Sequence, residues 1–316
     1  MWAYTSKRLF LMLPTLLVVA TVIFFLLRVV PGDIVELKLL GDGGMVSQAT
    51  IDQERARLGL DQPLLVQYFN WMVGLVTFDF GTSMWTGRAV SEEIAGRLML
   101  SIELAILASI VGLALGIVLG TLSALLRNTW VDHLIRLLTL GGMALPSFWI
   151  GMLIILFLLY IFDWLPPMTY TPFFTDPWAN LSQLIWPALA VGYRYAAVVA
   201  RLVRSSIMEV MNEDYIRTAR AKGVYERLII VRHAMRNALL PVVTLSGLEF
   251  AFLIGGLVVT EQVFNLNGIG KLFIDAIDNS DYVLIQSVVM LMAFIFIVVN
   301  LIVDLLYAAL DPRIRY

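Results

Sequence analysis

The sequence predicts an all-helical, polytopic membrane protein of six spans, with an external insertion after the first. Three observations carry that prediction. Hydrophobic residues make up 60% of the 316 and charged residues only 15%, and the mean hydropathy of +0.85 is far from that of a soluble domain. Uncharged apolar runs of spanning length recur along the chain. The basic residues gather in the segments between alternate runs, which is the positive-inside pattern.

Lys7 and Arg8 precede Leu9 to Leu27, nineteen residues without a charge, where a bilayer crossing needs about twenty. A secretory signal would have a shorter apolar core followed by a small-residue cleavage site. Arg28-Val29-Val30-Pro31-Gly32-Asp33 follows instead, so residues 1–30 read as an uncleaved span with its N-terminus inside. Residues 31–100 turn polar and form the external region. Gly41, Gly43 and Gly44 open it, Ile51 to Leu58 is a plausible helix, and Asp79 cuts the aromatic run Tyr68 to Phe78 to less than a span, so that run packs at the membrane surface.

Residues 101–310 hold five further spans, and 311–316 form a cytoplasmic tail. Leu104 to Leu126 is uncharged for 23 residues, and Gly112, Gly116 and Gly120 recur every fourth position, a strip where another helix backbone can approach closely. Arg127 to Arg136 is a short basic turn. Leu137 to Phe162 is the third span, broken near its start by Pro146, and the loop Asp163 to Asn180 has four prolines and no basic residue. Leu181 to Ala200 is the fourth, interrupted by Pro187 and Arg194; Ala238 to Thr260 is the fifth, with Glu249 near its middle; Val283 to Val303 is the sixth, closed by Asp304. This topology puts 14 of the 22 basic residues inside and only Lys271 in the two short external loops.

The stretch 201–237 organises the rest. It holds eight basic residues, Arg201, Arg204, Arg217, Arg220, Lys222, Arg227, Arg232 and Arg236, and so belongs in the cytoplasm. Glu213 and Asp214 open a short helix, Tyr215, Ile216 and Ala219 recur at helical spacing, Lys222 lies in the last turn and Gly223 stops it. A second amphipathic helix spans Tyr225 to Asn237, and Pro241 marks entry to the next span. Spacing alone leaves two readings open, a docking surface or a loop that only fixes topology.

The residues themselves resemble a family. Asp214-Tyr215-Ile216-Arg217-Thr218-Ala219-Arg220-Ala221-Lys222-Gly223, followed by Arg232-His233-Ala234-Met235-Arg236-Asn237-Ala238-Leu239-Leu240-Pro241, resembles the EAA loop of ABC importer permeases in its dipeptide and oligopeptide form. Arg217, Thr218 and Ala219 stand where Glu-Ala-Ala would be, and Met235-Arg236 where Leu-Pro would be; the peptide-importer branch shares both departures. Pro31-Gly32-Asp33, Leu58-Gly59-Leu60-Asp61-Gln62-Pro63, Asp79-Phe80-Gly81-Thr82-Ser83, Glu261 to Gly270 and Leu310-Asp311-Pro312-Arg313 are similar to the same family, with Asn267-Gly268 where Pro-Gly is common. The resemblance implies a type I ABC importer permease of MetI-like fold in a bacterial inner membrane, with both termini cytoplasmic. It implies partnership with a second related permease, two ATPase subunits that bind the ATP and magnesium, an external solute-binding protein and membrane lipid. It further implies that Glu213, Asp214, Tyr215, Arg217, Thr218, Ala219, Ala221, Lys222 and Gly223 form the coupling helix that docks on an ATPase. Peptides lead as substrate; nickel chelates, glutathione and oligosaccharides travel through similar permeases.

No residue set suggests catalysis, a cofactor, a metal or nucleic-acid binding. Gly268-Ile269-Gly270-Lys271 lacks the following Ser or Thr of a phosphate loop, and His133 and His233 have no second ligand at metal spacing. Energy for transport must therefore come from another chain or an ion gradient. Charges inside spans are costly and mark function by default. Glu249 is either a wall of the substrate path or the structural partner of a neighbouring span. Arg194, about two turns from the inner end of its span, either lines that path or snorkels to the interface. Trp149, Trp164, Trp178 and Trp186 read as interface anchors or packing. A gradient-driven transporter acting alone would need repeats with paired broken helices, and no repeat is visible. A channel or scaffold would need only the loop's charge.

Overall fold

The computed structural model describes residues 2–29, 35–36, 47–167 and 169–310. The family-like Pro31-Gly32-Asp33, the glycines at 41, 43 and 44, and the tail 311–316 lie outside them. Twelve helices are described: α1 (Trp2–Val29), α2 (Gln48–Arg57), α3 (Leu64–Thr77), α4 (Val90–Leu125), α5 (Trp130–Ala144), α6 (Ser147–Phe162), α7 (Pro177–Val210), α8 (Asp214–Ala221), α9 (Glu226–Ala238), α10 (Leu240–Val263), α11 (Ile269–Asp278) and α12 (Tyr282–Leu310). Thr82 and Ala89 form an isolated antiparallel bridge. The chain divides into two compact bodies, one of Leu100–Leu266 with the segment from Val298 onward, the other of Trp2–Met99 with Asn267–Ile297.

In the first body α7 is the hub, packed by α5, α6 and α10. Its start is fixed chemically: Asp176 caps it, accepting from the Trp178 and Ala179 N–H groups at 3.0 and 3.1 Å, and Pro177 occupies the first turn, where its missing N–H costs nothing. Pro187 and Arg194 do not interrupt α7, which runs unbroken for 34 residues, about 51 Å at the α-helical rise. Pro187 is buried, and the neighbouring helices hold the turn that its missing hydrogen bond loosens. Buried α7 residues also explain why the helix is less apolar than a lipid-facing span: much of its surface meets protein.

The glycine strip of α4 lies against α7. A Cβ on Gly116 would sit 2.6 Å from Val199 Cβ and 3.0 Å from the Ala196 carbonyl oxygen; one on Gly120 would sit 2.5 Å from the Ala200 oxygen; and Gly192 of α7 faces the Ala108 oxygen at 2.8 Å. Gly116→Leu is expected to force the two backbones apart at a cost of about 1–3 kcal/mol or more. The readout is the thermal denaturation midpoint in detergent. Gly96→Leu, on the same helix with nothing within 4 Å of its Cβ, serves as the tolerated control.

The third span breaks at Pro146, as the sequence predicts, and the break is a sharp one: α5 and α6 meet at 111°. Pro146 caps α6 and drives Leu145 into an extended conformation (φ −93°, ψ 135°), so the α5 ladder ends there. The straight apolar run is therefore α6 alone, 16 residues or about 24 Å. Among the described residues three helices (Arg8–Val29 of α1, α4 and Tyr282–Leu305 of α12) are long and apolar enough to cross a membrane, or five if each bent pair counts once.

The second body packs Val90, Ile94, Ile269, Leu272, Ala276, Leu284 and Val288 into one cluster. Asp281 is fully buried there; it accepts from Ser83 Oγ at 2.5 Å, Trp85 N–H at 3.1 Å and Leu284 N–H at 3.0 Å, and so fixes the start of α12. The segment that the sequence treats as a short external loop contains α11, whose apolar face fills this cluster. Elsewhere in the body, Phe24 of α1 meets the rings of Tyr68 and Trp71 of α3, and Arg28 donates to Gln67 Oε1 at 3.2 Å.

Candidate docking loop and intramembrane charges

The loop after α7 is a small folded unit. Ile216 is fully buried with Ile229 and Ala234, and Val210, Met211, Ala219 and Val224 close around them. One buried face on an eight-residue helix follows from the spacing of Ile216 and Ala219. Gly223 adopts φ +75°, and the Gly223 N–H reaches the Arg220 carbonyl at 2.9 Å while the Val224 N–H reaches the Ala219 carbonyl at 3.2 Å. That pair is a Schellman stop, and Val224 packs back on the helix as such stops require.

The second helix of the loop is less regular than its sequence suggests. Instead of one amphipathic α-helix over Tyr225 to Asn237, α9 contains a π-helical stretch, Ile229–Ala234. The wider turn lets both Ile229 and Ala234 reach the core around Ile216, a spacing that a regular α-helix does not bring to one side. Asn237 donates to Tyr215 Oη at 2.8 Å, and Arg220 forms two bonds to Glu226, at 3.1 and 2.6 Å, across the glycine corner. The Arg220 guanidinium holds the Glu226 carboxyl below the usual carboxylate range.

The candidate coupling residues divide by exposure. Glu213 is the N-cap residue and Asp214 the first helical one; both are exposed, and both place negative charge at the positive end of the helix dipole. Arg217, Thr218, Ala221 and Lys222 are exposed too, with Arg217 3.4 Å from Asp214 and Thr218 Oγ1 donating to the Asp214 carbonyl. Tyr215 and Ala219 tie the helix to the rest of the loop, and Gly223 sets the corner. Exposed Tyr225, Leu228 and Val231 add apolar area to the loop surface.

Glu249 is half-buried on α10, one turn beyond Ser246 and within electrostatic reach of the buried Tyr195 of α7. Arg194 is exposed and makes no hydrogen bond or ion pair among the described residues, so it is not paired with Glu249. Of the four tryptophans, Trp149 and Trp178 are exposed, whereas Trp164 and Trp186 lie against each other with ring centroids 6.2 Å apart.

Two polar networks, one buried and one half-buried, have no counterpart in the sequence reading. Asp132, fully buried at the start of α5, takes both Arg204 nitrogens at 3.0 Å, the Ser123 hydroxyl at 2.5 Å and the Asn128 N–H at 3.1 Å. It joins the end of α4, the start of α5 and the part of α7 that leads into the loop. Asp132 lies ahead of the apolar run, and Arg204 first, then Ser123 and Asn128, hold its carboxyl well below the usual range despite burial. Its signal was available: it is the single acid in the basic turn 127–136. The other network is Glu103, which accepts from Tyr170 and Asn180 at 2.6 Å each and from the Phe173 N–H at 3.2 Å.

Among the described residues no group of three or more His, Asp or Glu could hold a metal ion. Residues 116–316 match the family model described as binding-protein-dependent transport system inner membrane component, and residues 1–105 match the N-terminal model of such membrane components. The glutathione transport system permease protein GsiC of Salmonella typhimurium is 42% identical over 313 residues, 99% of either chain. A Brucella abortus protein, provisionally named a peptide transport system permease, is 41% identical over 316 residues, 100% of either chain. The inward-facing MetNI methionine ABC transporter is similar in structure, with a TM-score of 0.56 at 15% identity, over 67% of this chain and 93% of that one. At that identity the likeness is one of fold.

Proposed function

Since the chain belongs to the family of binding-protein-dependent transport system inner membrane components, we propose that it is the permease subunit of an ATP-driven importer of peptides or similar solutes, and that residues Glu213 to Gly223 couple it to an ATPase. The observation that carries the reading is the loop itself, a helix plugged at Ile216, stopped at Gly223 and exposed along its charged face. A loop that merely fixed topology would need its charges but not its core. The names borne by its relatives, a peptide permease and a glutathione permease, support a small peptide-like cargo.

In this reading a second, related permease completes the pathway, two ATPase subunits bind ATP and magnesium, and an external binding protein delivers the solute. Both termini and residues 201–237 face the cytoplasm, residues 31–100 face outward, and residues 101–310 form the permease core. Closure of the ATPase pair pushes α8, and α7, continuous to Val210, passes the movement into the core as a rigid-body tilt. Uptake by proteoliposomes containing the assembled transporter tests the cargo: competition by short peptides and by glutathione, measured side by side, ranks the two.

Glu249 and Arg194 remain the charges proposed for the path wall. Glu249→Gln is expected to reduce uptake of cationic peptides about tenfold relative to neutral ones, the equivalent of one good charge contact. Unchanged preference would leave Glu249 a structural neighbour of Tyr195.

A further inference from the structure

We propose that a basic cavity between α5 and α7, flanked by Arg136 and Arg201, binds the headgroup of an anionic phospholipid. The cavity has a volume of about 360 Å³, and its lining includes Arg136, Thr139, Leu140, Arg201, Arg204 and Ser205. Three guanidinium groups therefore meet at one hollow. Arg204 is neutralised by Asp132, whose two oxygens are fully used by Arg204, Ser123 and the Asn128 N–H. Arg136 and Arg201 are exposed, and neither side chain makes a hydrogen bond or ion pair among the described residues. Among the described residues no carboxylate lines the hollow, and Asp132 behind it is committed to Arg204, so the hollow carries two uncompensated positive charges.

The surroundings select an amphiphile rather than a free anion. On α5 four exposed leucines surround Arg136, namely Leu134, Leu137, Leu138 and Leu140, with exposed His133 one turn before it and exposed Trp130 at the helix start. Leucines in that position suit acyl chains, and the tryptophan suits the boundary between headgroup and hydrocarbon. Both arginines lie within one turn of an apolar run, which places them at headgroup depth whichever way the chain is oriented. The Thr139 and Ser205 hydroxyls donate to carbonyls of their own helices, Arg136 and Leu202, so recognition falls to charge alone. That selects anionic lipids as a class rather than one headgroup, in the manner of basic hollows between membrane helices.

The test uses the assembled transporter, purified from nanodiscs of phosphatidylcholine mixed with phosphatidylglycerol, with retained lipid counted by native mass spectrometry. The wild type is expected to retain phosphatidylglycerol over phosphatidylcholine. R136Q/R201Q is expected to retain about tenfold less phosphatidylglycerol with phosphatidylcholine unchanged, since each basic residue near the membrane surface contributes severalfold to anionic-lipid binding. R136K/R201K should recover most of it, and R127Q, an exposed arginine outside the cavity, should behave as wild type. Equal retention of the two lipids by the wild type, or equal phosphatidylglycerol on wild type and R136Q/R201Q, would overturn the proposal. So would displacement of the lipid by inorganic phosphate alone, which would mark a free-anion site, or loss of a partner subunit from R136Q/R201Q with lipid unchanged, which would mark a protein contact.

Discussion

Replacing Asp132 by alanine is expected to destabilise the protein by about 3–5 kcal/mol, because it leaves the Arg204 guanidinium in a mostly buried place without its counter-charge. Asp132 is fully buried and Arg204 about 20% exposed, so solvent does little to replace the lost partner. Asp132→Ala also removes acceptors for the Ser123 hydroxyl and the Asn128 amide, so three donors are orphaned together. The sharper test is the double-mutant cycle. Replacing both partners, Asp132→Ala with Arg204→Met, removes the unpaired charge, and this variant should be more stable than Asp132→Ala alone. Denaturation midpoints in detergent decide it; a double variant as unstable as the sum of the singles would mean that the pair does not act as a unit.

Ile216→Asp is expected to detach α8 from its core, because a charge would then occupy a fully buried site within an apolar cluster. Insertion of the spans should be unaffected, whereas uptake should fall at least tenfold and ATP hydrolysis should lose its dependence on solute. Gly223 offers a graded version. A Cβ there meets nothing within 4 Å, so the cost of substitution is the left-handed backbone alone. For most L-residues that is about 1–2 kcal/mol, and Asn, which tolerates the conformation, has the least to lose. Uptake should therefore decline in the order Gly, Asn, Ala, Val. A flat series would show that the corner is not under mechanical demand. Reversing Glu213 and Asp214 to lysine probes the exposed side of the same helix: the fold should survive and coupling should not.

The apolar spans, the glycine strip and the short helix ending at Gly223 were legible because each depends on local pattern. A run of uncharged residues, a spacing of four and a glycine after a basic turn all lie within one segment. Gly116 shows how far such a pattern reaches, since its spacing implied a close partner and Val199 is that partner. What was not legible depends on distant segments. By sequence Arg204 is one of eight basic residues of a loop, but its role comes from Asp132, 72 positions away. Pro187 and Arg194 look like breaks along the sequence, whereas α7 runs through both, with Pro187 buried against its neighbours. The π-helical turn answers to Ile216, which lies outside that stretch altogether. Likewise α11 is too short to stand alone and owes its form to the cluster it fills.

The most direct measurement exploits the absence of cysteine from the chain. A single R217C substitution on the exposed face of α8, treated in the assembled transporter with a reagent that joins a thiol to a nearby amine, is expected to cross-link to an ATPase subunit and to stop turnover. Y160C, on exposed α6, should give no such product. If R217C instead reacts with a membrane-impermeant reagent added outside intact cells, or never joins an ATPase chain during turnover, α8 is not the coupling helix.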